Sequence, residues 1–106
     1  MSLEGKLLIG QQAVSGERAE IRATNPATGE ALEPVYRGGS QAEVERACEL
    51  AEAAFDAYRE TTLEERATFL ETIASEIEAI GDELTQRGMA ETGLPQARLE
   101  GERGRT

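Results

Sequence analysis

The sequence predicts an α+β segment: a short antiparallel β-meander over residues 1–39, followed by three to four helices over residues 40–106. Three observations predict it. Up to Gly39 the chain alternates brief apolar runs with Gly and Pro turn signals, the pattern of short strands. From Ser40 apolar residues recur at steps of three and four, the period of a helix with one buried face. Ser40 with Glu43, and Thr62 with Glu65, have the Ser/Thr-x-x-Glu spacing of a capping box, which marks where two helices begin.

The strands come first. Lys6 to Ile9 is an apolar run ending at Gly10, Gln12 to Val14 resumes it, and Ser15-Gly16-Glu17 supplies a turn. Ala19 to Ala23 alternates about Ile21, as a half-buried strand does. Asn25-Pro26 and Thr28-Gly29 bracket a reversal in which Pro fixes one φ and Gly permits a positive one. Ala31 to Tyr36 reads as a return strand, restricted to an edge because Pro34 has no N–H to give a ladder.

The helices follow. Val44, Ala47, Cys48, Ala51, Ala54, Phe55 and Tyr58 fall on one face after Ser40, with Glu45, Glu49, Glu52 and Asp56 off it. After Thr62 the stripe is Leu63, Ala67, Leu70, Ile73, Ala74, Ile77 and Ile80. Gly81 is read as the end of that helix and Asp82 as the cap of a third running to Thr92. Gly93 suits a left-handed C′ position, Leu94 its hydrophobic follower, and Pro95 blocks continuation. Gln96 to Arg105 makes a last helix that frays at Gly101 and Gly104. The first two helices, joined by a short turn, are expected to pair antiparallel.

Composition bounds the function. Of 106 residues, 21 are acidic and 11 basic, for a formal charge of −10. That charge repels nucleic acid and anionic membrane surfaces, so neither is expected as a partner. Tryptophan is absent and there are only two Phe and two Tyr, so any core is aliphatic. A chain of this size buries too small a share of its apolar surface to be very stable alone, which suits a piece that leans on a larger body. A single cysteine excludes an internal disulfide. Together with the lack of a charged-then-apolar leader, it points to a cytoplasmic setting.

Chemistry-bearing residues are few. Without histidine there is no imidazole acid–base work and no His-ligated metal. Cys48 sits mid-helix on the apolar stripe and reads as a buried structural thiol, because a reactive thiol needs access and a lowered pKa. Glu45, Glu49 and Glu52 read as solvated carboxylates, and Glu91 as a residue that ends a helix. Gly38-Gly39 lacks the strand–GxGxxG–helix setting of a phosphate loop. Arg98, Arg103 and Arg105 read as a solvated helix end rather than an anion site.

Two motifs carry a resemblance. Asn25-Pro26-Ala27-Thr28-Gly29-Glu30 precedes Glu91-Thr92-Gly93-Leu94-Pro95. Between them come an Ala-rich helix with Phe55, then a helix start Glu65-Arg66-Ala67 with Leu70 and Ile73-Ala74. In this order the chain resembles the amino-terminal portion of the NAD(P)-dependent aldehyde dehydrogenase superfamily. Many members have Lys where this chain has Leu94. That departure, with the Gly101–Thr106 ending, is similar to the branch that oxidises 2-oxoglutarate semialdehyde (2,5-dioxopentanoate).

The resemblance implies that residues 1–39 and 40–106 together form the amino-terminal part of a cofactor-binding domain in an α/β, Rossmann-type dehydrogenase. In the parent enzyme NAD or NADP is the cofactor. A cysteine attacks the aldehyde, hydride passes to the nicotinamide, and a glutamate activates water against the thioester. None of those residues is expected within positions 1–106, so the implied catalytic, cofactor-binding and metal sets are empty here. The implied partners are the remainder of the dehydrogenase chain and further copies in a homo-oligomer, and the segment alone is expected to be inactive. The competing reading is an autonomous acidic helical module that presents a helix face to another protein.

Overall fold

The computed structural model describes residues 3–106. The short antiparallel β-meander is present, its strands hydrogen-bonded as two separate two-stranded ladders. The first joins β1 (Leu7–Ile9) to β2 (Gln12–Val14), pairing Leu7 with Val14 and Ile9 with Gln12. The turn passes through Gly10 at φ 62°, a conformation that favours glycine. The second joins β3 (Glu20–Ile21) to β4 (Tyr36–Arg37). The expected return strand from Ala31 is much shorter: Ala31 makes only an isolated bridge to Thr24, and regular pairing resumes at Tyr36. The Glu33–Pro34 bond between them is cis.

Four helices follow: α1 (Gln41–Arg59), α2 (Leu63–Ala79), α3 (Gly81–Thr92) and α4 (Gln96–Gly104). Both capping boxes form. Ser40 Oγ accepts from Glu43 N at 3.4 Å while Ser40 N donates to Glu43 Oε2 at 2.5 Å. Thr62 and Glu65 repeat the exchange at 3.1 and 2.8 Å. Each box satisfies two backbone donors that the first turn otherwise leaves orphaned. Gly93 takes the left-handed C-cap at φ 71°, its N–H donating to Met89 O at 2.9 Å.

Gly81 corrects the sequence reading. It opens α3 rather than ending α2, with Ile80 as the joint between them, and Asp82 lies inside the first turn without capping it. Gly81 is buried because the Arg103 guanidinium lies where a Cβ would project. The Gly81 backbone is ordinary helix, and the neighbour filling the space beside it is the far end of a flexible side chain. Helix α4 also runs through Gly101 to Gly104 without a break.

The chain divides into two compact units. One contains Ala23–Leu32 and Thr62–Thr106, hence α2, α3 and α4. Within it α4 packs on α3, where Gly88 lets Leu99 come close: a Cβ on Gly88 would stand 3.1 Å from Leu99 Cδ1. The other runs to Arg22 and resumes over Glu33–Thr61, hence both ladders and α1. There β1 packs on α1, and a Cβ on Gly10 would stand 3.0 Å from Leu50 Cδ1. The helix pair packed within one unit is α3 with α4.

Among the described residues no hydrophobic side chain is buried. Val44 and Phe55 on the α1 stripe are each 59% exposed, and Leu63 and Leu70 on α2 are 83% and 62% exposed. The stripes exist as the sequence predicts, but within each unit too little apolar surface faces them to close a core.

Candidate functional site

The two motifs that stand out in the sequence meet in space. The loop from Asn25 to Glu30 closes on itself: Asn25 N donates to Glu30 O at 2.9 Å and Gly29 N to Asn25 O at 2.8 Å. Asn25 Oδ1 accepts from Ala27 N at 2.9 Å, and Thr28 Oγ1 accepts from Glu30 N at 3.3 Å. These side chains replace ladder partners that a short loop cannot supply. Gly29 holds φ 77°, the left-handed region where a side chain is strained. Below the loop, Leu32 N donates to Ala23 O at 2.8 Å and ties the two strands of its neck.

The second motif is a helix exit. Thr92 Oγ1 donates to Gly88 O at 2.6 Å and accepts from Leu94 N at 3.2 Å, so one hydroxyl bridges the last turn of α3 and the residues beyond it. Gly93 then reverses the chain into Pro95, which precedes α4. A Cβ on Gly93 would stand 3.2 Å from Pro26 Cγ. The Asn25–Glu30 loop is thus seated against the turn joining α3 to α4. Glu91, beside that turn, accepts from Arg87 Nε at 2.6 Å one helical turn back.

The arginines near the carboxy end all meet carboxylates of the same chain. Arg98 and Arg105 contact Glu102, and Arg103 reaches Glu78 at 3.7 Å and Asp82 at 3.8 Å. Arg103 is only 22% exposed and clamps α4 onto the α2–α3 joint. Exposed pairs such as Arg98–Glu102 and Arg105–Glu102 contribute little stability, about 0.2–1 kcal/mol each.

In the other unit, two open clefts flank the hairpin. One, of about 420 Å³, is lined by Ile9, Val14 and Leu50 with Ser40, Glu43 and Arg46. The other, of about 350 Å³, lies along β1 and is lined by Leu7, Ile9, Val44, Ala47 and Cys48. The Glu43 carboxylate on both rims is engaged by Ser40 N, so it serves the helix cap. Cys48 is exposed, which overturns the expectation of a buried thiol. The apolar stripe it lies on is uncovered, so a position on that stripe does not bring burial. Among the described residues no group of three or more His, Cys, Asp or Glu is placed to hold a metal ion. Nor is any helix long and apolar enough to cross a membrane.

Strand-and-turn ladders, capped amphipathic helices and a loop seated on a helix exit define an α+β segment. Comparison with known proteins gives it a family. The aldehyde dehydrogenase family profile matches residues 13–106, and the chain belongs to that family. It is 58% identical over its whole length to the alpha-ketoglutaric semialdehyde dehydrogenase 2 of Azospirillum brasilense, covering 20% of that protein. It is 37% identical over 95% of its length to the alpha-ketoglutaric semialdehyde dehydrogenase of Acinetobacter baylyi, covering 19%. A putative aldehyde dehydrogenase of Staphylococcus aureus is 34% identical over 81% of the chain. The chain spans about a fifth of the length of the curated relatives it matches.

Proposed function

We propose that this chain is the amino-terminal structural segment of an NAD(P)-dependent dehydrogenase that oxidises 2-oxoglutarate semialdehyde to the corresponding dicarboxylate. One observation carries the reading: 58% identity, without loss of any part of this chain, to a protein named for that substrate. The second relative carries the same substrate in its name at 37% identity. Residues 1–39 and 40–106 contribute together to the outer part of a Rossmann-type cofactor domain. The nucleophilic cysteine, the general-base glutamate and the NAD(P) contacts lie outside residues 1–106, and the segment alone is inactive.

Two features support an architectural role. The side chains of Asn25, Ser40, Thr62 and Thr92 bond backbone groups of loops and helix ends, and Arg103 meets carboxylates of the same chain. The apolar stripes are left open, as surfaces awaiting cover are. An autonomous interaction module also has open helix faces, but it offers no account of the two loop motifs or of the family match.

The test is the reading frame that carries this chain, expressed whole and assayed for aldehyde-dependent reduction of NAD and of NADP. Preferential turnover of 2-oxoglutarate semialdehyde supports the proposal. Turnover of aldehydes lacking a carboxylate with equal efficiency refutes the substrate, and a natural product ending at Thr106 refutes the dehydrogenase reading.

A further inference from the structure

We draw no further inference here: the strongest candidate, the cleft between the β1–β2 hairpin and the first half of α1, points to no ligand, because its Glu43 is engaged by Ser40 N and its Arg46 by Glu49, and nothing in the structure shows what covers its apolar floor.

Discussion

Replacing Gly93 with alanine probes the joint between the two motifs. Gly93 holds φ 71° and ψ 7° at the exit of α3, and an L residue there is disfavoured by roughly 1–2 kcal/mol. The new Cβ also stands 3.2 Å from Pro26 Cγ, a contact that the loop relieves by shifting or that costs about 1 kcal/mol if it cannot. Against these, alanine restricts the unfolded chain and recovers about 0.4–1 kcal/mol. The net expectation is a loss of roughly 1–2 kcal/mol. In a chain of this size about 1 kcal/mol shifts the midpoint by roughly 4–8 °C. Thermal unfolding followed by circular dichroism reads the shift. Made in a Pro26→Ala background, which removes Cγ, G93A loses the contact share and costs nearer 1 kcal/mol. An unchanged midpoint for G93A refutes the backbone argument. Equal costs in the two backgrounds refute the seating of the loop on the turn.

Other expectations follow from the same structure. Ser40→Ala and Thr62→Ala each remove a side-chain acceptor from a helix start; each lowers stability by about 1 kcal/mol, measured by urea titration, while Ser→Thr and Thr→Ser swaps are tolerated. The chain alone stays dispersed at low ionic strength because of its −10 charge. It associates through its open stripes as salt shortens the Debye length from about 10 Å at 0.1 M to 3 Å at 1 M, which sedimentation velocity resolves; salt-independent behaviour contradicts it. Lys6 Nζ stands 2.9 Å from Glu4 Oε2 and, by hydrogen bond and then by charge, holds the Glu4 carboxyl below its ordinary value. A lowered carboxylate pKa means the pair contributes above the ordinary carboxylate range and is lost as pH falls through the folded value. Lys6→Ala returns the Glu4 titration, followed by NMR, to the ordinary range.

Local signals were legible wherever a few neighbouring residues suffice to satisfy the backbone. Ser40–Glu43 and Thr62–Glu65 place both long helix starts correctly because a capping box needs only four residues. Gly93 is legible because a left-handed exit admits few residues other than glycine. Gly81 misleads for the opposite reason. It has ordinary helical backbone, and what packs beside it is Arg103, 22 residues downstream.

The sequence by itself determined the α+β order, the helix caps, the tight loop at Asn25–Glu30 and the family those motifs belong to, all of them matters of local backbone chemistry or ordered pattern. Tertiary structure alone decided that Pro26 lies against Gly93, that α3 pairs with α4, and that Cys48 is exposed. Periodicity states which face of a helix is apolar. Whether that face is covered depends on surfaces brought from elsewhere, and for α1 and α2 no hydrophobic side chain among the described residues finds enough of them to be buried.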